Sequence, residues 1–187
     1  MYQKCLPELK RGPTSQYSAA MQGLAQCLQM QQKYSEALQY VKQLLTLPPE
    51  PNKNSGQLHA WIGVLLDLSN QPDAAVASYR KARAASGADS YEIWEPLRQA
   101  CQAESDRKRF DVADSLFKRN LELLEPTADN TIAICNIWCQ IARMHKYANH
   151  KAKAQQAYQK ALAVLQSSGN KPSSKEQVEN IRKEMGQ

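Results

Sequence analysis

The sequence predicts an all-α solenoid of antiparallel helix pairs, and three observations lead there. One pattern recurs along the chain: an alanine, a bulky residue four positions on, and a small or apolar residue three further. Ala37, Val41 and Leu44 fit it, as do Ala75, Tyr79 and Ala82, and Ala154, Tyr158 and Ala161. Ala113, Phe117 and Asn120 fit it with one departure, the polar Asn120. The four alanines stand 38, 38 and 41 residues apart. The second observation is geometric. Positions i, i+4 and i+7 share one helical face, where alanine admits a neighbouring helix and the larger residue covers the gap. A helix with so narrow a stripe cannot bury it alone, so equal units stack. The third is composition: Ala, Gln, Leu and Lys abound and Phe is scarce, a helical rather than a strand-forming mixture.

In chain order, residues 1–10 (MYQKCLPELK) match residues 157–166 (AYQKALAVLQ) at Tyr2, Gln3, Lys4, Leu6 and Leu9. Residues 1–12 therefore read as the remnant of a preceding repeat, cut or started at Met1. A short capping helix is the alternative, and Pro7 would strain a helix interior. Four helix pairs follow, over 14–49, 54–87, 89–126 and 129–168. Thr14 or Ser15 can cap the first helix, Lys33 marks its turn, and Pro48-Pro49 stops the second. Asn54 or Ser55 opens the next pair, Asn70-Gln71-Pro72 turns it, and Gly87 ends it. Asp89 or Ser90 starts a helix to about Ala103, and the basic stretch Asp106 to Arg109 leads into a helix ending near Glu125-Pro126. Asp129 or Asn130 opens a helix to about Tyr147, and Asn149-His150 turns into one ending at Ser168-Gly169. Residues 173–187 form a closing helix with a narrow stripe of Val178, Ile181 and Met185 and a charged outer face, as a solenoid cap requires. All 187 residues are thus expected in one repeat domain.

Composition sets further bounds. No apolar run approaches about 20 residues, so no membrane-spanning helix is expected. The start, MYQKCLPELKRGP, lacks the apolar core of a signal peptide. The five cysteines are odd in number and irregularly spaced, which fits a reducing compartment. A soluble, cytoplasmic protein is the expectation. With 24 basic against 18 acidic residues the chain carries +6, enough to suit an acidic partner without demanding nucleic acid. No phosphate-binding Gly-Lys-Ser/Thr loop, no Gly-x-Ser-x-Gly elbow and no His-Glu-x-x-His pair occurs, so neither catalysis nor a cofactor is predicted. Cys135 and Cys139 lie four apart on one helix but lack further ligands for a metal. Cys5 and Cys101 fall on small-residue packing positions, and His59 and His145 on core-facing ones.

The first helix of each pair carries a second pattern, a bulky residue followed three, four and seven places later by apolar, small and bulky residues. Met21, Leu24, Ala25 and Leu28 follow it, as do His59, Ile62, Gly63 and Leu66, and Trp138, Ile141, Ala142 and His145. These residues resemble the tetratricopeptide repeat family over residues 14–166. The segment Phe110 to Leu165 is similar to the longer repeats of kinesin light chains and related bacterial arrays. The third unit departs from the pattern. Leu97, Ala100, Cys101 and Glu104 put a charge where a bulky apolar residue belongs, whereas starting on Trp94 and Leu97 restores the pattern and lengthens the turn. Both registers remain open. The predicted architecture is a right-handed superhelical solenoid of this type.

The resemblance implies a concave groove lined by the first helices. Gln22, Gln26 and Gln29 would point into it, then Trp61 and Val64, then Arg98 and Gln102, then Asn136, Arg143, Lys146 and Tyr147. Amides can pair with an extended peptide backbone, cations with its acidic groups, and Trp61 with an apolar side chain. The predicted function is a scaffold or adaptor that binds a protein or peptide, with the acidic end of that segment over the later repeats. Self-association through an open N-terminal end is a further expectation. Some family members clamp a chaperone carboxylate terminus with cations and asparagines. Gln22, Gln26 and Trp61 stand in the matching places here, so that clamp is not expected. Two other classes are an RNA-binding helical repeat and an accessory region of a larger enzyme or signalling protein. The first would need base-stacking aromatics at fixed repeat positions, which the chain lacks.

Overall fold

The computed structural model describes residues 14–48, 55–86, 91–124, 130–167 and 172–186. Among these there are nine helices and no strand: α1 (Thr14–Met30), α2 (Tyr34–Thr46), α3 (Ser55–Leu68), α4 (Pro72–Ser86), α5 (Tyr91–Asp106), α6 (Phe110–Leu123), α7 (Thr131–Tyr147), α8 (Lys151–Ser167) and α9 (Pro172–Met185). The chain forms two compact units, residues 1–99 and 100–187, whose boundary falls within α5. Unit 1 packs α1 on α2, α2 on α3 and α3 on α4. Unit 2 packs α6 on α7, α7 on α8 and α8 on α9. The expected remnant of a repeat at residues 1–12, with Cys5, lies outside the described residues.

The recurring alanines lie in the interior of their pairs. Ala37, Ala75 and Ala113 are fully buried and Ala154 nearly so, with Val41, Tyr79, Phe117 and Tyr158 buried beside them. In the α3–α4 pair the approach is closest at Gly63. A Cβ built there would lie 2.6 Å from Cε1 of the buried Tyr79 ring, so glycine is required by contact and not by backbone conformation. The Tyr79 hydroxyl donates to Asp67 Oδ2 at 3.2 Å, which seats the ring across α3. Asn120, the polar departure in α6, is buried like its apolar counterparts.

Each of the four within-pair turns has the same backbone. Gln32, Asn70, Lys108 and Asn149 have φ of 63°, 58°, 60° and 60°, and each precedes its repeat alanine by five residues. The residue after each donates its N–H five residues back: Lys33 to Leu28, Gln71 to Leu66, Arg109 to Glu104 and His150 to His145, at 2.8–2.9 Å. The left-handed residue itself donates to Gln29, Asp67, Ser105 or Lys146. These are the paired bonds of a Schellman ending. The carbonyls of Lys33, Gln71, Arg109 and His150 then accept the N–H of Ala37, Ala75, Ala113 and Ala154 at 3.0 Å, opening the next helix. One residue thus ends the first helix and begins the second. The sequence marked these turns at their polar residues but not the glycine-free left-handed position.

The third turn also settles the register. Leu97, Ala100, Cys101 and Glu104 are all buried, so the register that places Glu104 at the bulky position holds; the Trp94 side chain lies outside the described residues. Glu104 is tolerated because Arg107 Nη1 binds its Oε1 at 2.7 Å and Arg109 pairs with its Oε2. Both arginines come from the turn itself. α5 runs to Asp106, three residues beyond the predicted end, stopping at the same place before its alanine as α1, α3 and α7 do.

Two outcomes are expected in urea unfolding. Lys108→Gly should raise stability by about 0.5–1 kcal/mol, because a lysine in the left-handed region costs more than glycine there. Gly63→Ala should lower it by about 1–3 kcal/mol through overpacking against Tyr79. Pairing it with Tyr79→Leu should cost less than the two single changes summed.

Candidate functional site

The predicted groove residues fall into three groups. In unit 1, Gln22 and Gln26 are exposed on α1. Gln29 and Trp61 are half-buried and turned to one another, the indole Nε1–H donating to Gln29 Oε1 at 2.6 Å. Trp61 therefore ties α3 to α1. Val64 is fully buried, which corrects its placement on an open face: the α3 pattern turns this position into the interior, where it has no surface to offer. The second group keeps its charges within a helix. Arg98 forks onto Glu95 at 2.8 and 2.6 Å, and the Gln102 amide donates to Asp106 at 2.8 Å.

The third group lies on α7 in unit 2, and here the structure gathers polar side chains around one pocket. It holds about 280 Å³ and is lined on α7 by Cys135, Asn136, Cys139, Gln140 and Arg143, and on α9 by Gln177, Asn180, Ile181 and Glu184. Its geometry follows from the helical pattern. Cys135, Cys139 and Arg143 are successive i+4 positions of α7, while Gln177, Ile181 and Glu184 are the i, i+4 and i+7 positions of α9. Ile181 is buried and seats α9.

At the floor of this arrangement four donors converge on one residue. Arg143 gives Nε and Nη2 to the two carboxylate oxygens of Glu184, at 2.9 and 2.6 Å. The Tyr158 hydroxyl of α8 donates to Glu184 Oε2 at 2.7 Å. Lys146 Nζ donates to the Glu184 backbone carbonyl at 3.0 Å. A planar guanidinium meeting a carboxylate through two parallel bonds is the strongest form of this contact. The electrostatics agree. The Arg143 hydrogen bonds, followed by that from Tyr158, hold the Glu184 carboxyl below the usual glutamate range against the effect of burial. Burial, and then the bond to Glu184, push the Tyr158 phenol up, so it stays a donor.

Tyr147 is exposed, and its ring meets Phe110 of α6 edge-on with centroids 6.1 Å apart. The adjacent His145 is buried and 3.4 Å from Asp114. Burial lowers its pKa in spite of that carboxylate, as suits a packing histidine at the expected core-facing position. Cys135 and Cys139 hydrogen-bond to one another. That bond, and then burial, push the Cys135 thiol up. The same bond, with Arg143 nearby, moves Cys139 down. Among the described residues no three His, Cys, Asp or Glu side chains are grouped to hold a metal ion. No helix there is long and apolar enough to cross a membrane.

Sequence reasoning found the cations of this site but missed what they hold. Glu184 was read with the charged outer face of α9, because Val178, Ile181 and Met185 supply a plausible apolar stripe. The available signal was the alternative stripe Gln177, Ile181, Glu184, with a carboxylate at the end that a cationic face would draw inward.

The pH dependence of α9 follows from the sign of the Glu184 shift. A carboxyl whose pKa is lowered by folding stabilises its contact fully above its ordinary value and loses that stabilisation as pH falls through the folded one. Protection of the α9 amides, corrected for intrinsic exchange, should hold from about pH 7 to about pH 5 and fall below about pH 4.3. The Glu184→Gln variant should start from lower protection and lack this step.

The tetratricopeptide repeat family profile matches residues 136–164, which take in most of α7 and α8 and the Ala154, Tyr158, Ala161 pattern. No curated protein matches the chain. A repeat of this family is in general a protein-interaction module on a scaffold that is typically non-catalytic. The chain carries a tetratricopeptide repeat at residues 136–164, on the helix pair whose donors gather around Glu184.

Proposed function

We propose that the chain is an interaction scaffold that binds an acidic segment of a partner protein on the first-helix faces of its repeats. The observation that carries this reading is the convergence of Arg143 and Tyr158, both within the matched repeat, on the one carboxylate of Glu184, with Lys146 on its backbone carbonyl. Exposed cations on a solvated face spread out to lower their mutual repulsion. Donors from two helices aimed at one point make a carboxylate receptor instead. Asn136 and Gln140 stand along the same pocket and supply amides for neighbouring polar groups. In unit 1 the exposed Gln22 and Gln26 offer amide contacts, while Trp61, held by Gln29, supports that face rather than anchoring a ligand.

No observation favours RNA. The basic cluster Arg107-Lys108-Arg109 directs two of its three charges to the buried Glu104, which leaves little field for phosphates.

The test is a fluorescence-anisotropy titration of the full chain with an acidic peptide and its neutral scramble at low and moderate salt. The acidic peptide should bind at least about tenfold more tightly at low salt, and Arg143→Ala should remove most of that difference. Equal binding of the two peptides would discard the reading.

A further inference from the structure

We infer that α9 occupies the α7–α8 receptor as a stand-in for the partner, and that the partner segment is itself an amphipathic helix of the same chemistry. This rests on the reading of that face as a binding site and adds what occupies it. The receptor is already filled, and its occupant is helical. Glu184 provides the carboxylate, and Ile181, one turn earlier, provides the buried aliphatic anchor. Any competing segment must present a carboxylate three residues after a branched aliphatic side chain, a spacing that places both on one helical face.

The fit of α9 is uneven, which makes it replaceable. At its C-terminal end the donors and Glu184 are matched. The pocket of about 280 Å³ between α9 and α7 runs from Glu184 and Arg143 past Ile181 to Asn136, Gln140, Gln177 and Asn180. There Gln177 Oε1 is buried without a hydrogen bond. A buried amide oxygen that lacks a donor weakens the association that buries it. Ile181 is the one α9 side chain that is fully buried among the described residues, so little apolar area holds the helix down. An element with few buried apolar contacts opens at low cost. A partner helix that keeps the Ile181 and Glu184 equivalents and fills the pocket at the Gln177 position would displace it.

The experiment uses the full chain, as wild type and as Glu184→Gln, with three labelled probes. These are an acetylated peptide of residues 171–187, the same peptide with Gln in place of Glu184, and an extended Gly/Ser/Glu peptide. The residue 171–187 peptide should bind Glu184→Gln about tenfold more tightly than wild type, since the resident helix has lost its charged contact. Its Gln-bearing form should lose binding to both proteins. Saturating peptide should also raise hydrogen exchange across residues 175–186 of the wild-type chain, which a purely structural α9 would not allow. Equal affinity of the peptide for the two proteins overturns the inference. Arg143-dependent binding of the extended probe alone would overturn it and leave the acidic-segment reading standing. No binding by any probe to either protein removes both.

Discussion

Two helices can share an interior this thin only by coming very close, and that closeness is the constraint on which each pair depends. Ala37, Ala75, Ala113 and Ala154 allow it by presenting a methyl group where a longer side chain would hold the partner off. Gly63 under the Tyr79 ring is the extreme case, with not even a methyl group between α3 and its neighbour. Close approach leaves few choices for the connection between the helices. The turn must reverse the chain within a few residues and leave no backbone group stranded, and the same left-handed ending meets both needs in all four pairs.

That economy explains how the polar exceptions survive. Glu104 stands at a position where the other pairs bury Leu28, Leu66 or His145, and each of these carbonyls accepts the turn's N–H from five residues on. The backbone requirement at that place is therefore indifferent to the side chain. The side chain needs only a partner, and the arginines on either side of the left-handed Lys108 are close enough to supply one. Removing the arginines would leave the buried Glu104 carboxylate without a countercharge, so the three residues belong together.

The helix pairs were legible in the sequence because their cause is periodic: alanine and aromatic recur on a fixed face, and turn residues recur between them. The direction of individual side chains was less so. Val64 was assigned to an open face by analogy of position, yet the residues around it on α3 (Leu58, Ala60, Ile62, Leu65 and Leu66) are buried on several sides. A helix that is apolar nearly all round has no free face to lend. Trp61, expected to face a partner, stays half-buried, and its indole N–H finds an acceptor in a glutamine one helix pair away. Neither contact was legible, for one reason. Periodicity reports which positions recur, whereas contacts between successive pairs depend on residues far apart in sequence that need not recur at all.

Glu184 shows the same limit from the other side. Seen within α9 it is one charge among several, next to Lys183 and near Arg182 and Glu179. Only the cationic strip of α7, some forty residues earlier, selects it. Arg143 is well exposed, and an exposed ion pair by itself contributes little to stability. What distinguishes this one is its shape, since a guanidinium fork and a phenol from two different helices leave room for one carboxylate and little else. A contact that is geometrically selective and energetically modest suits recognition better than it suits holding a fold together. On the reading proposed above, its strength would lie in choosing the occupant, and its modest size would allow the occupant to change.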